Sequence, residues 1–470
     1  MSGPMALEPG GAEQDTLALR LAGPRSAVSG FPADQHTLAL VRPGHGARGD
    51  AVDRLAAELA DRIAPAVHPY EVAALLESEG LTGEVIRERY GHSDLFSLAT
   101  ALYERVPRTF PDPPRPADPW RPDHVRCALR GALFALPGLA YALAGRLLDQ
   151  HGVVRALVVA GLLSWAWNQA LGHRAYLRLA TGRREAGRTL LKGATAGALA
   201  ATAAGVPLAG SGPAAVAVTA QSGYLAAAGV LLVLGRERLL LAALGPVIAG
   251  AATLPWWEPG TVLRAGLPLL SLLGTLAAAG WALRATRTVP PVADAARPPL
   301  VRSLPYGLFG LAAGSLVFLA GRQHPWAVIV LTLSMGPAEW LLYRYRGLSV
   351  AALRATATPA GFRRRSAAVL AGCLLAYLGP LVPAALLVDA EPVTLLPLAA
   401  ALWTSLLLQA FGVAWPPAAL CLAAAAGAGA VALAGLPPGA ATALPLCCGA
   451  AALCLTVCAL RMLGRPAAHA

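Results

Sequence analysis

From about residue 127 to residue 460 the chain is a succession of apolar runs, each close to twenty residues long and separated by short polar or Pro/Gly-containing breaks. No other feature restricts the fold as much. A hydrocarbon core about 30 Å thick takes roughly 20 residues at about 1.5 Å rise each. Inside it every backbone N–H and C=O must be paired within the segment, which selects helices here. The runs predict spans near 127–148, 152–172, 190–209, 213–234, 239–257, 261–283, 305–321, 325–343, 366–388, 392–412, 415–434 and 438–460. Only 14% of the residues are charged, against about a quarter in soluble chains, and the mean hydropathy is +0.55. Many runs are rich in Ala and Gly, so some depend on neighbouring helices for insertion.

The net charge of +12 admits two partners, nucleic acid or anionic lipid. Position decides between them. With the N-terminus inside, the cytoplasmic flanks from Arg121 onward hold 23 basic residues, whereas the outer flanks hold four, Arg146, Arg155, Arg264 and Arg322. That asymmetry is topogenic and predicts both termini in the cytoplasm of a cell-membrane protein. The turn at 411–415 carries no charge and rests on Pro416 and Pro417. The two richest loops, 173–192 and 344–365, lie six spans apart, and the 284–304 loop divides the spans six and six. Two such halves around a central site are a common transporter layout. Locally, Gly182-Arg-Arg-Glu parallels Gly361-Phe-Arg-Arg, each leading a basic cluster into the next span.

Residues 1–50 read as a disordered region, with one short strand allowed at 37–41. Helical spacing of Val52, Leu55, Leu59 and Ile63 opens a small module over 51–106, continued by helices at 71–78, 82–90 and 93–106. Gly80 and Gly91 suit helix stops, and Thr82 and Ser93 suit N-caps. Residues 66–106 hold seven acids and three arginines, for a net charge of −4. That sign argues against DNA binding and makes 66–106 a docking module for a cytoplasmic protein. The Pro-rich stretch 107–122 is a semi-rigid linker. Membrane half 1 covers 123–283, half 2 covers 305–460, and 461–470 is a cytoplasmic tail. The fold class is all-α: a polytopic membrane protein of about twelve transmembrane helices in two halves, preceded by a small helical region.

The seven cysteines lie in or beside apolar runs without ligand spacing and read as packing residues, so no metal site and no cofactor is expected. No cleaved signal peptide is visible at the N-terminus. Gly193, Gly197, Ala201 and Gly205 form a small-residue ridge, as do Gly310 and Gly314. Pro137, Pro246, Pro268, Pro380, Pro383 and Pro397 interrupt spans and free carbonyls. Polar groups inside spans are costly, so they are the candidates for a substrate cavity: Asn168, Gln169, Gln221, Arg264, Glu339 and Gln409. Glu339 is the candidate for ion coupling, with an interfacial pair to Arg344 as the alternative. Arg155 and Arg264 either line a cationic outer vestibule or snorkel to the outer surface.

The run Asn168-Gln-Ala-Leu-Gly-His-Arg174 leading into Gly182-Arg-Arg-Glu, with Ser334-Met-Gly-Pro-Ala-Glu-Trp340 and Phe362-Arg-Arg-Arg365 as counterparts, resembles the multidrug/oligosaccharidyl-lipid/polysaccharide exporter superfamily. Within that superfamily it is similar to the membrane component of Pel-type exopolysaccharide export. The resemblance covers about 127–460, and the N-terminal 120 residues depart from the pattern. It implies a flippase or exporter of a polysaccharide or lipid-linked glycan, with two six-helix bundles around a cavity. A major-facilitator transporter is the alternative, although Ala186-Gly-Arg188 lacks that family's acid at the expected spacing. A membrane scaffold anchoring a cytoplasmic glycosyltransferase is another. A membrane enzyme would need an acidic or Asp/His constellation in an outer loop. Asp149 with His151 comes nearest and reads as turn capping, so no catalytic residue is assigned.

Overall fold

The computed structural model describes residues 45–109, 121–147, 152–292, 298–435, 437 and 439–469. The expectations for 1–44, for the middle of the Pro-rich linker and for Asp149 with His151 lie outside these residues. The chain forms two compact units, divided near residue 118.

The smaller unit is helical at His45–Glu58, Ala60–Ile63, Pro69–Ser78, Gly83–Val85 and Leu95–Arg105, with a π turn at Ile86–Tyr90. Its first helix begins at His45, six residues before the expected start. Val52, Leu55, Leu59 and Ile63 are all buried, together with Leu76, Ile86, Leu98 and Leu102. Helical spacing brought these residues to one face, and the turns fold the faces together. Gly80 and Gly91 have φ values of 76° and 72°, the left-handed geometry that ends a helix without a Cβ clash. The N-cap of the last helix is Asp94 rather than Ser93. Its carboxylate accepts from the Ser97 amide at 2.8 Å, while the Ser93 hydroxyl donates to that carboxylate at 2.8 Å. A charged acceptor serves the unpaired amides of a helix start better than a hydroxyl.

The larger unit is twelve helical passes among the described residues, numbered here as spans. Span 1 is His124–Ala135 continued by Gly138–Ala144; spans 2 to 6 are Val153–Leu179, Arg183–Ala209, Pro213–Val233, Glu237–Thr253 and Thr261–Arg287. Span 7 is Leu304–Gln323, span 8 is Pro325–Leu333 continued by Met335–Arg354, and spans 9 to 12 are Pro359–Leu387, Pro392–Ala410, Trp415–Ala434 and Ala440–Leu463. Nine of these passes are long and apolar enough to cross a membrane on their own. The others are spans 2, 3 and 5. Span 5 has 17 residues, span 2 carries Arg155, Asn168 and Gln169, and span 3 is largely Ala, Gly and Thr. Spans 2 and 3 pack on each other and on span 4, and span 5 packs on spans 1 and 6.

Leu375, Leu387, Leu433, Leu453 and Val262 point outward, an apolar girdle that water would not tolerate and lipid does. Exposed Trp256, Trp257, Trp326, Trp281 and Trp415 sit near span ends, where an amphipathic indole meets the headgroups. Span 10 is the most enclosed, with 67% of its apolar window buried, against 22% for span 6.

Neighbour relations in the first half recur in the second when each span number is raised by six. Span 2 packs on span 3 as span 8 does on span 9, span 4 on span 6 as span 10 on span 12, and span 1 on span 5 as span 7 on span 11. The halves meet through spans 1 and 8 and through spans 2 and 7, two pairs that exchange under the same shift.

Small residues let these helices approach. A Cβ on Gly197 would lie 2.3 Å from the Trp167 ring, and one on Gly193 2.3 Å from Leu171 Cδ1, so the ridge on span 3 is the seat of span 2. Between the halves, Gly310 faces Gln169 and Gly314 faces Leu162. Gly131 and Gly336 meet backbone to backbone, where an added Cβ on Gly131 would lie 2.9 Å from the Gly336 nitrogen.

Candidate functional site

Spans 1 and 8 are both interrupted, at Pro137 and at Ser334, and they are also partners across the two halves. Pro137 cannot donate a helical hydrogen bond. The Ser334 hydroxyl lies 2.7 Å from the Leu331 carbonyl and 3.0 Å from the Tyr377 hydroxyl.

Beside the Gly131–Gly336 contact lies a buried charge network. Arg130 of span 1 is 7% exposed, Glu237 of span 5 is 6% and Glu339 of span 8 is 4%. Arg130 donates from Nη1 to Glu339 Oε1 at 2.6 Å, and from Nε and Nη2 to Glu237 Oε1 at 3.0 and 2.8 Å. Arg126, on the half-exposed side, donates a third bond to Glu237, at 3.0 Å. Two cations thus balance two carboxylates, and Arg130 bonds to an acid in each half. Trp340 Nε1, one position after Glu339, donates to His124 Nδ1 at 2.9 Å, a second polar link between spans 1 and 8.

Sequence reasoning missed this network. It took Arg126 and Arg130 as topogenic flank, although Arg130 lies three residues inside the first apolar run. It offered Arg344 as the partner of Glu339, whereas Arg344 stands over the Trp340 ring at 5.7 Å. The acid instead reaches across the seam to Arg130 of span 1.

The six expected cavity residues separate into distinct settings. Asn168 donates to the Leu225 carbonyl at 3.0 Å and packs against Gly229, tying span 2 to span 4. Gln221 donates to the Leu157 carbonyl at 2.8 Å and accepts from the Tyr141 hydroxyl at 2.6 Å, joining spans 4, 2 and 1. Arg264 is buried and spends its N–H groups on the carbonyls of Pro259 and Leu143, at 2.9 and 3.2 Å. It therefore clamps the backbone at the start of span 6, while Arg155 is exposed. Glu339 belongs to the charge network. Gln169 lies on the seam against Gly310, with its Oε1 buried and unpartnered, and Gln409 is buried in span 10 with neither amide atom partnered. Ser164 Oγ and Trp165 Nε1, also on span 2, are buried without a partner. Span 2 thus carries polar capacity that the present packing leaves unused.

Fold and site together define an all-helical, multi-pass membrane protein of two six-helix halves joined along an ion-paired seam. No family model matches the chain, and no curated protein matches it. Among solved structures, it is similar to a crystal structure of MATE in complex with Br-NRF, at 17% identity and a TM-score of 0.40, over 73% of this chain and 98% of that one.

Proposed function

We propose that this protein is a transporter that moves a glycan or lipid-linked sugar across the cell membrane by parting its two halves, with both termini in the cytoplasm. The observation that carries this reading is the buried Arg130, held by one acid of each half. Desolvating such charges costs several kcal/mol, and packed apolar side chains would often hold a static joint as well or better. An ion-paired joint differs in one respect: its groups are well solvated when the seam opens, so closed and open arrangements can lie close in free energy. Glu339 and Arg130 then act as the latch on the end of the bundle that carries Arg126.

The unpartnered groups support the substrate class. Neutral amides, a hydroxyl and an indole N–H offer hydrogen bonds of roughly 0.5–1.5 kcal/mol each net. These are weak enough for release and suited to a sugar with many hydroxyls. Gln169 stands on the seam itself and would be uncovered when spans 2 and 7 separate.

The test joins the halves. In a variant whose native cysteines are replaced, His124→Cys and Trp340→Cys are bridged with a short bifunctional thiol reagent, and glycan export is followed in cells or vesicles. Bridging is expected to stop export, and cleavage of the reagent to restore it. Undiminished export by the bridged protein would sink the latch. If cells lacking the protein keep every surface glycan unchanged, the substrate class fails instead.

A further inference from the structure

A cavity of about 610 Å³ opens where the end of span 2, the start of span 3 and the start of span 7 meet. Four of its lining residues are cationic: Arg174 and Arg178 from the last turns of span 2, and Arg188 and Lys192 from the first turns of span 3. Topogenic charge alone requires only that cations lie on the right side of the membrane; it does not require them to converge from two helices on one concavity. The rest of the lining is largely apolar. Trp167 and Leu304 are part of it, both partly exposed, and the Trp167 ring is held in place by donation from Nε1 to the Gly193 carbonyl at 2.7 Å. One carboxylate stands near, Glu185, whose Oε1 is 4.0 Å from Arg188 Nη1. Arg174 also donates to the Pro298 carbonyl at 2.8 Å, which fixes its guanidinium at the rim. Among the described residues, Arg174, Arg188 and Lys192 still outnumber that acid.

The geometry points to a binding site for the phosphate group of an anionic membrane lipid, its acyl chain lying on Trp167 and Leu304. Basic pockets between helices at the headgroup level are suited to such lipids, and the volume is in the range of small-ligand sites, about 300–1,000 Å³. A soluble phosphate would use the cations but gain nothing from an exposed indole and leucine, so the apolar wall favours the lipid as the source. The site is separate from the Arg130 network and stands whether or not the protein transports glycans. Because span 7 belongs to the second half, a lipid here also bridges the seam.

Trp167 is a built-in reporter. Full-length protein in mixed micelles is titrated with phosphatidylglycerol brominated on its acyl chains, and in parallel with equally brominated phosphatidylcholine. The Trp167 signal is taken as the difference from Trp167→Phe. Half-quenching is expected at a several-fold lower mole fraction of phosphatidylglycerol. The preference should fall by on the order of ten-fold in Arg188→Gln/Lys192→Gln, two solvent-exposed positions, and persist in Arg188→Lys/Lys192→Arg. Equal quenching by the two lipids, or a preference intact in the glutamine variant, would overturn the site. Glycerol phosphate at matched concentration should not displace the brominated lipid; if it does, the ligand is a soluble phosphate and the lipid assignment falls.

Discussion

At the scale of single residues, adjacent amides on one helix have opposite roles. Asn168 is spent on the Leu225 carbonyl, whereas the Oε1 of Gln169 is buried without a partner. Removing a satisfied bond in a membrane interior costs about 0.6 kcal/mol on average, while removing an unsatisfied group recovers its desolvation cost. Asn168→Leu is therefore expected to lower the thermal midpoint in detergent. Gln169→Leu, close in volume, is expected to hold or raise it while reducing glycan export. The two measurements separate packing from transport, since a Gln169→Leu protein with full export takes that residue off the path. The sequence marks both positions as costly, but spacing along one helix cannot say which neighbour offers a carbonyl.

At the scale of elements, the helix ends of the small unit were the most legible features. Thr82 caps as expected, and both glycine stops take positive φ. The shift from Ser93 to Asp94 has a consequence in pH. The Ser97 amide, and then the Ser93 hydroxyl, hold the exposed Asp94 carboxyl below the usual carboxylate range. A folded-state value below the unfolded one means that the cap's contribution is present above the ordinary carboxylate pKa and is lost as pH falls through the lowered value. Corrected for intrinsic rate, hydrogen exchange at the start of helix Leu95–Arg105 should quicken across that acid range. Asp94→Asn, an equally good cap without a titrating group, should abolish the dependence. Persistence of the same pH dependence in that variant would assign it elsewhere. In the membrane unit, Pro137 marks the break of span 1, whereas Pro337, in the first turn after the break of span 8, is not among the prolines singled out from the sequence. There the chain turns at Ser334, because Pro337 has no N–H to continue the preceding helix, and the Ser334 hydroxyl contacts Leu331 and Tyr377.

At the scale of the whole molecule, the alternation of basic and acid-bearing ends makes the clearest prediction. Reporter fusions after Gly210, Pro259 and Asp389 are expected to report the outer side, and fusions after Arg188 and Arg354 the cytoplasm. An inverted or mixed pattern would reject the proposed orientation. The recurrence of neighbour pairs under a shift of six spans gives the halves equivalent parts, and they meet along the seam through spans 1, 8, 2 and 7. Spans 2 and 3, too polar or too small-sided to pass as independent spans, lie at or beside that seam. Polar groups and close-packed glycines are tolerated there because protein rather than lipid covers them.

The amino-acid sequence by itself determined the environment, the helical class, the six-and-six division and the helix-end chemistry of the small unit. Each of these follows from local quantities: run length against bilayer thickness, the spacing of the breaks between runs, and backbone preferences at glycine and capping residues. Tertiary structure alone decided the partners. Arg130 and Glu339 are 209 residues apart in the chain, and nothing in either apolar run specifies that spans 1 and 8 will touch. Whether an arginine near the membrane surface orients a helix, latches two halves or binds a lipid phosphate depends on the groups that packing brings within about 3 Å of it. That proximity is set by small residues such as Gly131 and Gly336 on different helices, whose effect exists only once the helices have met.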